Sequence, residues 1–364
     1  MKVVIVGGGV VGLTTALQLK KNNYFANSDI NIVAESYDDL VSYVAAGIFR
    51  VGDDYSGPTK NITRKWINDS YEFYEQIQKS HESSVAGISK ISCYMYSNIA
   101  PIKHHWMKQV IPVCRDITPN EFNLVNGSWK YGSYLETMIT QCSSYLPWAR
   151  NKFAKKNNLN AQYVFLYCKY KMTIIIYRLN ECGTKLLTKK LESLDELYDD
   201  YDLIINCTGL GAKRLCNDSH MIPIRGQVAK VKAPWLKVCF YSELDTYIIP
   251  GTDGYCTLGG TRDFNSMTTD ICQHTHRSIR ERCEHLLPSL TKAPTVKQLV
   301  GLRPYREGGV RVEIEKTPSG HRAKGIVHNY GHGGYGVCTA PGTSIFAIKL
   351  AEDVFKSSSS SSKL

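Results

Sequence analysis

The sequence predicts an α/β fold in two parts, and three observations predict it. A short apolar β-branched run at the start leads into a glycine-rich turn and then into apolar positions at helical spacing. A second apolar run, near the middle of the chain, ends in another small-residue turn. The chain has 364 residues, 43% of them apolar, enough for a sizeable core and for about two domains at roughly 150 residues each.

Val3-Val4-Ile5-Val6 has the apolar β-branched character of a central parallel strand. Gly7, Gly9 and Gly12 follow in the pattern G-x-G-x-x-G, and Leu13 to Leu19 continues as a helix. In such a turn the first glycine permits the tight bend, the second lets a pyrophosphate approach the backbone, and the third lets helix and strand pack closely. Phosphates then sit at a helix N-terminus, where free N–H groups and the dipole favour negative charge. Ile30 to Ala34 reads as a second strand, and Glu35 at its end lies about 20 residues beyond the last glycine, where a carboxylate receives ribose hydroxyls. Glycines alone are a weak signal; strand, helix and terminal acid together point to a dinucleotide. The motif does not choose between NAD and FAD, but its place at residue 1 favours a flavoprotein whose first βαβ unit holds the AMP half.

Further along, Asp202 to Cys207 reads as a core strand entering the turn Thr208-Gly209-Leu210-Gly211. Three later segments are dense in Gly, Arg and Tyr: Thr246 to Gly251, Gly301 to Arg306, and His328 to Gly336. Helical apolar spacing returns from about Thr343 to Val354.

Lys plus Arg number 44 and Asp plus Glu 33, a formal charge of +11. Nucleic acid, anionic lipid and an acidic small substrate all suit that balance. The basic residues are scattered among acids rather than clustered with aromatics, so nucleic acid is not expected as a partner. No apolar run reaches the roughly 18 residues of a membrane span, and no secretory leader is evident. None of the twelve cysteines forms a CxxC pair or a zinc-like spacing, so neither metal nor disulfide framework is expected.

With these motifs quoted in order, the chain resembles the FAD-dependent D-amino-acid oxidase family, which includes the D-aspartate oxidases. The resemblance runs through GGGVVG (Gly7 to Gly12), VAAG (Val44 to Gly47), NCTG (Asn206 to Gly209), RGQV (Arg225 to Val228) and APW (Ala233 to Trp235). It continues with YIIPG (Tyr247 to Gly251), LGGT (Leu258 to Thr261), GLRPYR (Gly301 to Arg306) and NYGHGGYG (Asn329 to Gly336). It implies a Rossmann-like FAD-binding domain plus a mostly antiparallel substrate-binding domain, each discontinuous in sequence. The FAD part would take 1–58, 142–215 and 290–364, and the substrate part 59–141 and 216–289. FAD contacts are implied at Gly7, Gly9, Val10, Val11, Gly12 and Glu35, at Ser42, Ala45, Ala46 and Gly47, at Thr208 and Gly209, and at Gly333, Gly336, Val337 and Cys338.

The same resemblance implies that Arg303 forks onto the substrate α-carboxylate, that the Tyr247 hydroxyl contacts it, and that the carbonyl of Gly334 accepts from the substrate amino group. Hydride would pass from the D-α-carbon to flavin N5 without a side-chain base, and O2 would reoxidise the flavin to give hydrogen peroxide. Arg262 stands where the D-aspartate branch has arginine and neutral-substrate members have an apolar residue, so a second carboxylate is expected there. Tyr241 falls where that branch carries a further arginine, with Arg50 as a substitute cation. Cys338 and Pro341 replace the threonine and tryptophan common in the family. The quoted motifs lean both ways: GLRPYR is closer to the D-aspartate branch, YIIPG to the neutral one. A homodimer is left open.

Two segments stand apart. Residues 155–177 are an atypical insertion, which reads as an added hairpin of Tyr163 to Tyr167 and Met172 to Ile176 or as a translated intron; the transcript sequence decides. Over 356–364 a serine run gives a flexible tail, and Ser362-Lys363-Leu364 at its end matches the peroxisomal import address, implying the import receptor as a partner and the peroxisome matrix as the location.

Overall fold

A computed structural model describes residues 1–154 and 185–360. The insertion at 155–177, including its expected hairpin, and the Ser362-Lys363-Leu364 terminus lie outside the described residues. In chain order the first half contains β1 (Lys2–Val6), α1 (Val10–Lys21), β2 (Asp29–Ala34), α2 (Lys60–Gln78), α3 (Ser83–Ala86), β3 (Ile88–Ser97), β4 (Val113–Asp116), β5 (Tyr131–Thr140) and α4 (Cys142–Ala154). After it come β6 (Lys185–Thr188), β7 (Leu203–Asn206), α5 (Ala212–Leu215), β8 (Met221–Lys232), β9 (Val238–Tyr241), β10 (Tyr247–Pro250), β11 (Tyr255–Gly259) and β12 (Asp263–Phe264). Last are α6 (Gln273–Leu286), β13 (Thr295–Arg306), β14 (Arg311–Glu315), β15 (Ile326–Tyr330) and α7 (Gly336–Ser360).

The first sheet has six strands in the order β14-β15-β7-β1-β2-β6, all parallel except β14 against β15. Val3 to Val6 are buried because β1 lies at the centre between β2 and β7, with helices on its face. The core strand read from Asp202 to Cys207 is β7, which pairs with β1 in this sheet. The second sheet has the order β12-β8-β11-β10-β9-β3-β5-β4, with β13 also paired along β8, and all but the β3–β9 pair are antiparallel. The fold is therefore α/β with a second, mostly antiparallel sheet. The layout expected from sequence begins the last FAD segment at 290, yet β13 pairs with β8 from Thr295 to Arg306. Here the division between the sheets runs near Arg306, since after a register shift between Thr295 and Lys297 the ladder continues to that residue.

The last helix begins at Gly336, well before the Thr343 expected, and runs on to Ser360, into the tail expected to be flexible. Pro341 hides its start, because a proline removes the N–H that would bond the carbonyl four residues back. That carbonyl, Val337 O, instead accepts from the Tyr74 hydroxyl at 2.6 Å. The next N–H, of Gly342, donates to Ser70 Oγ at 2.8 Å. Both partners come from α2, which lies so close that a side chain at Gly342 would overlap the Trp66 carbonyl. Among the described residues no helix is long and apolar enough to cross a membrane.

Candidate active site

A cleft of ≈ 1220 Å³ separates the two sheets, beyond the roughly 300–1,000 Å³ of most small-molecule sites. Its first wall is the glycine turn between β1 and α1, where Gly7, Gly9, Val10 and Val11 line it. Gly7 has φ 121°, and a Cβ there would lie 2.3 Å from the Cys207 carbonyl oxygen. Gly12 does not line the cleft. A Cβ on it would lie 2.0 Å from the Gly7 carbonyl oxygen, so it serves the close packing of helix on strand. Glu35 lines the cleft just beyond β2. Ser42, Ala45, Ala46 and Gly47 come from the loop that follows, Thr208 and Gly209 from the turn after β7, and Gly333, Gly336, Val337 and Cys338 from the entry into α7. The structure thus brings together, from five separate stretches, every FAD-contact candidate except Gly12.

These residues fit the dinucleotide. A Cβ on Gly9 would meet nothing nearer than Ser42 Oγ at 3.4 Å, so the turn is open on that side. Helix α1 has no side-chain cap at Gly9 and no acid in its first turn, which leaves its N-terminal dipole to an anionic group; Ser42 Oγ accepts from Val10 N–H at 3.1 Å. A further lining residue, Asn329, carries a buried oxygen, Oδ1, with no hydrogen-bond partner among the described residues. The Cys338 thiol donates to the Ile48 carbonyl at 3.2 Å, and burial pushes its pKa up to about 11, so it braces the loop before Arg50 as a neutral group.

The opposite wall is the second sheet. Its pairing sets Val228, Gly259, Tyr247, Tyr241 and Met95 side by side across five strands, so their side chains share a face. Tyr247 lies over its cross-strand partner Gly259, where a Cβ would overlap its ring. Burial raises the Tyr247 pKa while Arg303 pulls it the other way, so the phenol is a neutral donor at ordinary pH. Arg303, on β13 opposite Ile224, reaches diagonally over Gly226, and its Nη1 donates to the Thr261 carbonyl at 2.9 Å. Among the described residues it has no carboxylate partner. Gly334 packs against its stem, with an added Cβ 3.5 Å from Arg303 Cδ.

Arg262 also lines the cleft, but it is already engaged. Its Nε faces Asp245 Oδ1 at 2.9 Å, with both side chains partly exposed. The position at which a second substrate carboxylate is expected therefore already holds a carboxylate of the chain itself, Asp245. Asp245 arrives on the loop between β9 and β10, in which Leu244 and Asp245 both have φ 54°. Glu243 pins that loop to the end of β3, accepting from Asn98 N–H at 2.6 Å and Ile99 N–H at 3.1 Å. Asp245 and Gly226 are the functional residues that sequence reasoning missed. RGQV contains Gly226, but only the β8–β13 register reveals that it makes room for Arg303.

Fold and cleft together define a dinucleotide-dependent enzyme of two sheets, with a Rossmann-like unit against an antiparallel substrate wall. A family model described as FAD dependent oxidoreductase matches residues 2–347, and the chain belongs to that family; FAD is its cofactor. A human D-aspartate oxidase is 30% identical over 97% of this chain and 95% of its own length. A D-amino acid oxidase of Dugesia ryukyuensis is 28% identical over 97% of this chain and 98% of its own. Among solved structures, glycine oxidase from Bacillus cereus ATCC 14579 superposes with a TM-score of 0.70 at 17% identity, covering 97% of this chain and 95% of its own, a likeness of fold.

Proposed function

We propose that this enzyme oxidises D-amino acids, acidic ones by preference, at the CH–NH2 group, turning substrate, O2 and water into a 2-oxo acid, ammonia and hydrogen peroxide. The observation that carries the reading is Arg303, a guanidinium without a carboxylate partner among the described residues, set in the cleft between the FAD cradle and the Tyr247 face. A planar guanidinium takes an α-carboxylate through two parallel N–H···O bonds, which lysine cannot do. The Tyr247 hydroxyl donates to the same group, and the Gly334 carbonyl accepts from the substrate amino group. These contacts fix two substituents of one carbon, and the room left for the side chain then decides which hand is accepted, so positioning supplies much of the rate. Bound FAD supplies the two-electron acceptor. The names of both relatives support a D-amino acid as the substrate.

The preference for acidic substrates rests on a second lining cation besides Arg303, Arg50, that has no acid partner among the described residues. One observation favours neutral D-amino acids instead, the neutralisation of Arg262 by Asp245. A panel of D-amino acids with a peroxide readout decides. Faster turnover of D-aspartate and D-glutamate than of D-alanine supports the acidic reading, and the reverse order refutes it. Failure of every D-amino acid to reduce the flavin anaerobically refutes oxidation altogether.

The Ser362-Lys363-Leu364 terminus supports a peroxisomal location through the import receptor, where peroxide is made beside its scavengers. A fluorescent fusion at the N-terminus should be punctate, and deletion of the three residues should disperse it. Punctate fluorescence that survives the deletion would reject this address.

A further inference from the structure

We infer that Arg50, rather than Arg262, receives the distal carboxylate of an acidic substrate; the inference rests on the acidic reading above. The cations that line the cleft are Arg50, Lys189, Arg214, Arg262, Arg303 and Arg306. Four of them face carboxylates. Lys189 pairs with Glu196, Arg214 with Glu192, Arg262 with Asp245 and Arg306 with Asp218. Among the described residues only Arg303 and Arg50 line the cleft with no acid within salt-bridge distance. Asp54, the acid nearest Arg50 in sequence that lines the cleft, instead accepts from the Tyr335 hydroxyl at 2.5 Å.

The Arg50 guanidinium carbon lies 4.9 Å from the centroid of the Tyr241 ring. That stacking orients a cation without using its N–H donors, which stay available for an anion. Tyr241 and Tyr247 are cross-strand partners with ring centroids 5.6 Å apart. Arg303 lies over β8 and Arg50 over Tyr241 on β9, so the two flank the tyrosine pair on one face of the sheet. Three strand spacings separate β8 from β9 by roughly 14 Å. Two guanidinium–carboxylate contacts with a short dicarboxylate between them fill such a span. A substrate gripped by Arg303 at its α-carboxylate therefore directs its side chain along the tyrosines toward Arg50. Selection follows from net charge as well as position, because Arg262 with Asp245 presents none and Arg50 presents a whole one.

The test compares the ratio of kcat/KM for D-aspartate over D-alanine in wild type, Arg50→Gln and Arg262→Gln holoenzymes. A fall of that ratio by at least about 30-fold in Arg50→Gln is expected, the size of a lost partner to a desolvated charge. A ratio in Arg50→Gln within about threefold of wild type overturns the inference, and so does a larger fall in Arg262→Gln than in Arg50→Gln. A wild type with no preference for D-aspartate would sink the acidic reading itself, visibly and before any variant is made. If Arg50→Gln does not fold, Arg50→Lys keeps the charge over Tyr241 but loses the planar fork. Malonate binding, read from the flavin absorbance, should then weaken at least tenfold relative to acetate. Equal weakening of both anions would overturn the assignment.

Discussion

A methyl group on Gly226 would sit 2.4 Å from both terminal nitrogens of Arg303. The overlap is with the far end of a flexible side chain, so Gly226→Ala can fold by moving the guanidinium aside. Displacement of about 1 Å at a positioning group costs on the order of 10²-fold in rate. Gly226→Ala should therefore retain FAD and a near-normal melting temperature, while kcat/KM falls about a hundredfold for every substrate. Steady-state peroxide kinetics beside the flavin-to-protein absorbance ratio separates the two; unchanged kinetics would mean that Arg303 does not need its present seat.

Gly9 and Gly12 belong to one motif but should fail in different ways. A Cβ on Gly12 meets the Gly7 carbonyl oxygen at 2.0 Å, and backbone cannot step aside. Gly12→Ala should destabilise even the apoprotein, by about 3 kcal/mol or more. A Cβ on Gly9 meets only Ser42 Oγ at 3.4 Å. Gly9→Ala should leave the apoprotein intact and lower its affinity for FAD, because the methyl occupies the approach of the pyrophosphate. Thermal melts of apoprotein with FAD titrations distinguish them, and identical behaviour of the two variants would contradict the division of roles.

The contrast shows what a sequence can reveal. The motif from Val3 to Glu35 is local, so its strand, turn, helix and acid are readable in order, and Gly7, Gly9 and Glu35 line the cleft. The substrate wall is built from β3, β8, β9, β10, β11 and β13, whose registers join residues far apart in the chain. No periodicity encodes that Tyr241 stands beside Tyr247, or that Arg303 lies across Gly226. Arg262 was recognisable as a cation in a motif. Its neutralisation depends on a loop with two residues at positive φ, and a side chain's partner is a property of three dimensions. Pro341 misled in the same way, since its unmade hydrogen bond is compensated by Tyr74 from another helix.

Asp245→Asn removes the charge that holds Arg262 and leaves the loop geometry in place. Both side chains are partly exposed, so the lost pair should change stability by less than about 1 kcal/mol. The freed guanidinium adds a positive charge to the mouth of the cleft. The KM for D-aspartate should fall severalfold, more at low salt than at high, while that for D-alanine moves less. The check is the KM of both substrates at two ionic strengths; a rise in the D-aspartate KM would show that Asp245 aids acidic substrates.

Three buried histidines, His104, His328 and His332, set the response to acid, and burial lowers the pKa of each. Burial lowers the His332 pKa from the ordinary 6.5 to about 3, and its Nε2 sits 3.0 Å from Thr343 Oγ1. Burial first, then Arg50 and Lys108, lower that of His104 to about 4, against a smaller opposing pull from Asp53 and Asp116. Its Nε2 lies 2.8 Å from Ser133 Oγ. In all three, the unfolded chain binds a proton that the native one refuses. The contribution to stability is therefore full above pH 6.5 and is lost as pH falls toward 4 for His104 and toward 3 for His332. Each group gives a slope of about 1.4 kcal/mol per pH unit inside its window. Carboxylates lowered by their ion pairs, such as Asp202 beside Arg322 and Asp218 beside Arg306, add their losses only in more acidic solution. Between pH 6.5 and 5 the histidines should dominate. Urea midpoints of the holoenzyme should fall over that interval, and His332→Asn should flatten part of the fall, leaving the share of His104 and His328. A wild-type midpoint that stays level from pH 7 to 5 would show that these rings are protonated, or solvated, in the native state.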